Sequence, residues 1–153
     1  MHVTLSRATL ADAQELWQMQ KEAFQSLLDK YQDFDLSPAC EPLEKVIMRL
    51  EQPISAMYFI LADGVKVGAL RVRTLDDGFK KLGPIWVMPS QRNLGIAQQA
   101  IRLAEDIYGA DHWILDTILQ EPGNCHLYEK LGYRRTGELR PINDKLTLVF
   151  YEK

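Results

Sequence analysis

Thiols, imidazoles, long apolar runs and excess charge are all scarce in this chain. Cys40 and Cys125 are its only cysteines, far apart and in no C-x-x-C or Cys/His spacing. A disulfide framework is therefore not expected, and both read as reduced structural residues. His2, His112 and His126 form no H-x-x-x-H pair, so no protein-held metal is expected. The longest uninterrupted apolar stretch, Ala56 to Ala62, is far short of a bilayer span, and Met1 to Leu10 lacks a signal peptide's basic start and apolar centre. No membrane partner and a cytoplasmic location are the resulting expectations. Eighteen basic side chains face 21 acidic ones, a net charge of -3, so nucleic acid is not an expected partner either.

What is present suits one folded domain spanning residues 1–153, with 46% hydrophobic and 25% charged residues and length enough to bury a core. Val3 and Leu5 alternate with polar neighbours over His2 to Arg7, the period of a half-buried strand. Thr9, with Asp12 three residues on, opens a helix to about Tyr31 whose apolar face includes Leu16, Ala23, Phe24 and Leu28. A shorter helix carries Leu43, Val46, Ile47 and Leu50 and stops at Pro53. Met57 to Ala62 and Val65 to Arg73 are strands joined by the hairpin signal Asp63-Gly64. A turn at Asp76, Asp77 and Gly78 leads into a strand from Phe79 to Met88, interrupted by Gly83-Pro84, which predicts a bulge or a splay. A helix from Gly95 to Tyr108 ends at Gly109, and Trp113 to Ile118 is a strand. Pro122 and Gly123 precede a short helix through Leu131, and strands follow over Tyr133 to Glu138 and Leu146 to Tyr151. The order predicts an α/β (α+β) fold, with helices on both faces of a mixed sheet.

The stretch Pro89-Ser90-Gln91-Arg92-Asn93-Leu94-Gly95-Ile96-Ala97 links a strand to an amphipathic helix. The first N–H groups of a helix lack internal partners and sit at the positive end of its dipole, so they can bind a pyrophosphate. Gly95 and the small Ala97 leave room for close approach, and Arg92 adds a charge. Gly95 could equally just ease the loop into the helix. Walker A and the dinucleotide fingerprint are both missing.

Arg92-x-x-Gly95-x-Ala97 resembles the [QR]-x-x-G-x-[GA] motif of the GCN5-related N-acetyltransferase (GNAT) family. His126-Leu127-Tyr128-Glu129-Lys130-Leu131-Gly132-Tyr133 resembles that family's "fYeklGF" segment on its fourth helix. The resemblance spans nearly the whole chain, order of elements included, and implies a mostly antiparallel GNAT-like sheet. It also implies acetyl-CoA as co-substrate, with the loop Arg92, Asn93, Leu94, Gly95, Ile96 and Ala97 on its pyrophosphate. Ile85, Trp86 and Val87 would line the pantetheine arm, whose amides can partner main-chain groups left unpaired by splayed strands.

Aminolysis of a thioester needs a neutral amine, a stabilised oxyanion and a proton for the departing thiolate. By position Tyr128 matches the family's tyrosine acid, although the apolar surroundings of Leu127 and Leu131 also suit a core aromatic. Asp116 sits where some members carry a carboxylate base. It could relay a proton through water or only pair with a cation, and Glu121 and Glu22 are rivals. The N–H of Val87 is the expected oxyanion donor. Many relatives have asparagine seven positions before the tyrosine, where this chain has Glu121. Asn124 lies one turn before Tyr128 and either reaches the cofactor or starts the helix.

The acceptor is expected at a wall made by the first two helices and their linker. Phe24, Tyr31 and Phe34 there could meet an apolar part, and Asp29, Asp33, Asp35, Glu41 and Glu44 could attract a cationic amine. Core aromatics and a solvated acidic face explain the same residues. A small-molecule amine is the first expected acceptor, and a protein N-terminus or lysine the second. A non-catalytic acyl-CoA sensor is the third reading, and the resemblance leaves room for a homodimer.

Overall fold

Local turn chemistry sets most element boundaries. The computed structural model describes residues 1–153. Its elements are β1 (Val3–Arg7), α1 (Ala13–Tyr31), α2 (Leu43–Glu51), β2 (Ser55–Ala62), β3 (Val65–Thr74), β4 (Lys80–Val87), α3 (Ile96–Tyr108), β5 (Trp113–Ile118), α4 (Pro122–Lys130), β6 (Arg134–Pro141) and β7 (Thr147–Glu152). The Thr9–Asp12 capping box is formed, with the Thr9 N–H donating to Asp12 Oδ2 at 2.8 Å. Asp63 and Gly64 both take positive φ, 49° and 81°, as a tight hairpin between right-twisted strands requires. Gly109 ends α3 by donating its N–H to the Glu105 carbonyl at 2.7 Å.

The strands form one sheet in the order β1-β2-β3-β4-β5-β7-β6. Only the β4–β5 contact is parallel, so the expected mixed, mostly antiparallel sheet is present. Strand alternation sends Tyr58, Ile60, Leu70 and Val72 to a core shared with α3 and α4, and Met57, Phe59, Ala69 and Trp86 to a core under α1 and α2. No helix is long and apolar enough to cross a membrane. β6 begins at Arg134 and reaches Pro141, beyond the expected Glu138; each of its residues is exposed, so no apolar alternation marks its span.

Two irregularities shape the centre of the sheet. Leu70 pairs with Ile85 and Val72 with Leu82, so Gly83 and Pro84 together oppose the single residue Arg71. That is the predicted bulge. Beside it β4 and β5 pair only at Lys80–Trp113 and Lys81–Ile114, after which they diverge.

The divergence is held from the other side by Gly68, where a Cβ would lie 2.1 Å from the Trp86 carbonyl oxygen. No side chain fits there unless β3 and β4 separate. Gly68→Ala should therefore cost about 3 kcal/mol and lower Tm by about 6–12 °C in a chain of this size. Thermal unfolding measures it, and an unchanged Tm would mean the two strands yield freely.

Candidate active site

One continuous cleft of about 810 Å³ runs from the start of α3, through the β4–β5 divergence, to the ends of α1 and α2. Ile85, Val87, Arg92, Gly95, Asp116 and Tyr128 all border it, so the predicted donor loop, splay and acid share one space.

The loop reverses direction through left-handed conformations at Asn93 (φ 63°) and Gly95 (φ 77°). Gly95 stands just outside α3 as its N-cap rather than within it. A Cβ there would meet nothing closer than 4.0 Å, so the glycine is required by φ rather than by space. Ile96 is buried and anchors the first turn, while Ala97 borders the cleft. Leu94 projects outward, 51% exposed. The first intrahelical bond runs from Gln99 to Gly95, which leaves the preceding N–H groups free for an anion. Arg92 does not reach forward as expected. Its Nε donates to the Val87 carbonyl at 3.0 Å and its Nη2 to the Ala23 carbonyl at 2.7 Å. The side chain ties β4 to α1 and is committed before any phosphate arrives.

Main-chain direction follows from one bond. The Met88 N–H donates to the Val67 carbonyl at 2.8 Å, so alternation turns Trp86 toward β3 as well and turns Ile85 and Val87 toward the divergence. Ile85 and Val87 thus offer main-chain groups to the cleft. Trp86 borders the cleft too, but its main chain faces β3 and its ring packs edge-on against Phe24 at 6.0 Å in the α1 core. On β5 the Trp113 N–H bonds Lys153 and the Leu119 N–H bonds Thr147, so alternation aims the main chain of Asp116 at the same gap.

Tyr128 is 6% exposed and packs against Tyr133 and Tyr151 with centroids 5.9 and 6.1 Å away. Burial, then the charges of Asp116 and Cys125, raise its phenol well above the ordinary range. It therefore holds its proton. No hydrogen bond engages its hydroxyl. Asp116 pairs with Lys81 at 3.2 Å, the cation pairing that was one of its two anticipated roles. Asn124 borders the cleft, and its main-chain N–H bonds the Glu121 carbonyl at 3.1 Å.

The rival bases separate. Glu22 is exposed on the outer side of α1, beside Glu15 and Lys21, away from the cleft. Glu121 is engaged by the Tyr31 hydroxyl at 2.5 Å and Lys30 Nζ at 2.9 Å. Burial raises its carboxyl, but these two partners more than offset that and leave it below the ordinary range. The acidic acceptor wall is corrected in part. Asp33, Asp35 and Glu41 border the cleft, whereas Asp29, Glu44, Tyr31 and Phe34 do not. Glu41 is bound by Arg49, Lys45 and Gln20.

Residues 13–133 match the model of the acetyltransferase (GNAT) family. The chain belongs to that family. Its fold matches, among other solved structures, an acetyltransferase from Thermus thermophilus at 16% identity and TM-score 0.72, covering 99% of this chain and 96% of that one. The spermidine N-acetyltransferase of Vibrio cholerae, solved with CoA and spermine, matches at 16% identity and TM-score 0.76, with 97% and 93% covered. A Salmonella typhimurium acetyltransferase that modifies the N-terminal serine of ribosomal protein L7/L12 matches at 14% and 0.74, with 97% and 92% covered. No curated protein sequence matches the chain.

Sequence reasoning missed Arg71, Arg73 and Lys81, which border the cleft from β3 and β4. A strand period flags such residues only as outward-facing, and the signal that could have found them is a run of cations on one face of adjacent strands.

The Tyr31–Glu121 contact makes a pH-dependent tie between α1 and the start of α4. Because the folded carboxyl lies below its unfolded value of 4.5, its stabilisation is present above that value and is lost as pH falls through the folded one. Tyr31→Phe should thus lower Tm at about pH 7, and lose that effect progressively as pH falls below 4.5. Melting curves of both proteins across that range decide it, and a pH-independent difference would remove the tie.

Proposed function

We propose that this chain is an acetyl-CoA-dependent N-acetyltransferase that passes acetyl to a primary amine by direct attack on the thioester. The supporting observation is the meeting of three features in one cleft: free N–H groups at the start of α3, the open main chain of Ile85 and N–H of Val87, and the uncommitted hydroxyl of Tyr128. The N–H groups from Asn93 to Ala97 suit a pyrophosphate. The amides of a pantetheine arm suit the open edge of β4, with Asn124 beside them.

The thioester supplies an activated acyl carbon: a C–N bond forms to the amine as the C–S bond breaks. The Val87 N–H faces the carbonyl oxygen, and one such donor contributes about 3 kcal/mol at the transition state. Tyr128 hydrogen-bonds the departing sulfur and passes it a proton as the C–S bond breaks, a transfer uphill from an ordinary phenol at about 10 to a thiol at about 8.5. Collapse of the tetrahedral intermediate draws it forward, after which water returns a proton to the phenolate. The amine's surplus proton leaves through water to Asp116. We favour a small-molecule acceptor, since a cleft closed on one side by α1, α2 and their connection suits a compact ligand.

Calorimetry should find association with CoA, and thiol release should accompany amine addition; binding without release would make the chain a sensor. Tyr128→Phe should lower kcat by about 10²-fold with acetyl-CoA affinity nearly intact. Near-wild-type turnover in that variant would remove Tyr128 from the reaction.

A further inference from the structure

The β3 end of the cleft carries a cationic group to which the proposed reaction assigns no role. Arg71 is 7% exposed, and its Nε and Nη2 donate to the neutral acceptors Ser55 Oγ at 2.8 Å and Gln52 Oε1 at 2.9 Å. Its Nη1 has no acceptor. Arg73 lies two residues along the same face, and its Nε is buried without a partner. None of the chain's ion pairs includes either arginine.

The neighbouring carboxylates are already committed. Glu41 takes Arg49 through both oxygens, at 3.1 and 2.5 Å, and Lys45 at 3.3 Å. Asp116 takes Lys81. Arg73 moreover stands directly opposite Lys81 across β3 and β4, a like-charge pairing that destabilises a sheet. Lys45, Arg49, Arg71, Arg73 and Lys81 all border the cleft, and the only ion pairs among them are those to these two carboxylates, in a chain of net charge -3. Burial, then the fields of Arg49 and Arg73, hold the Arg71 guanidinium down at about 10, and Glu41 alone opposes them. The cleft's remaining acids are Glu121, held by Tyr31 and Lys30, and Asp33 and Asp35 on the α1–α2 connection, neither of which pairs with a cation.

A desolvated guanidinium without a carboxylate is costly unless a ligand supplies the anion, and its planar fork suits carboxylate and phosphate. Arg71 opposes the Gly83-Pro84 bulge, where β4 leaves β5. We propose that Arg71 and Arg73 form an anion subsite, so that the acceptor is an amine that also bears a carboxylate or phosphoryl group. The transfer step rests on the acetyltransferase reading, whereas the anion subsite stands without it. Polycationic amines are disfavoured by the same charges.

Thiol release with acetyl-CoA should be compared for amines bearing a carboxylate, amines bearing a phosphate, the neutral amides or esters of both, and a polyamine. Anionic acceptors should exceed their neutral counterparts about tenfold or more in kcat/KM, and the better of the two anionic arms names the source. Arg73→Gln, and Arg71→Lys as the milder change at the buried position, should pull that ratio toward one. Independently, inorganic phosphate or acetate titrated into CoA-saturated protein should shift the Nε–H NMR signals of Arg71 and Arg73 saturably. Equal or better turnover of neutral or cationic amines, or arginine signals indifferent to both anions, overturns the subsite. If acetyl-CoA neither binds nor is consumed, the acetyltransferase reading fails, and the same titration on the free protein decides the anion subsite alone.

Discussion

Two rungs of parallel pairing, at Lys80–Trp113 and Lys81–Ile114, are the constraint on which the cleft depends. β4 stays with β3 through six residue pairs and β5 stays with β7 through five, so neither strand can follow the other once the bulge has displaced β4. Leaving a main-chain group without a partner in a buried place costs about 1–3 kcal/mol. Arg92 relieves part of that cost by donating to the Val87 carbonyl. What stays open is the N–H of Val87 and the edge at Ile85, which is where an amide-bearing ligand gains most.

Burial alone does not single out an acid in this core. Tyr128, Tyr133 and Tyr151 pack together, and burial raises all three phenols. Tyr133 donates to Glu105 at 3.1 Å and Tyr151 to Glu129 at 2.5 Å, so both hydroxyls already serve the fold. Tyr128 makes no such bond and borders the cleft. Its hydroxyl therefore keeps its proton and remains free to donate a hydrogen bond into the cleft.

Much of the fold was legible because turn and period signals are local. The Thr9–Asp12 box, the Asp63-Gly64 hairpin and the Gly109 stop each involve a few neighbouring residues, and their geometry is set by those residues alone. The Gly83-Pro84 bulge was legible for the same reason. Gly68 was not, because its need for a missing Cβ comes from Trp86 on the next strand. Arg92 shows the same limit. Its place in the loop was clear, but its guanidinium answers to the Ala23 carbonyl on α1, 69 residues away in sequence. The acidic acceptor wall was misjudged because composition cannot reveal that Glu41 is neutralised by Arg49 and Lys45 from α2.

Commitment of polar groups, more than their mere presence, locates the chemistry. Four buried side-chain atoms lack a hydrogen-bond partner, on Gln20, Asp33, Arg73 and Trp86, and three of those residues border the cleft. Unsatisfied buried groups are rare in native proteins because each is costly. Their concentration along one cleft, beside an open strand edge, a free tyrosine hydroxyl and an arginine pair with no carboxylate, is difficult to maintain for stability alone. Elsewhere comparable groups are matched: Lys153 with Glu105, Arg135 with Glu129, Trp113 Nε1 with the Gly109 carbonyl. The difference follows if the cleft is completed by a ligand, with a polar thioester carrier on one side and an acceptor carrying its own negative charge on the other.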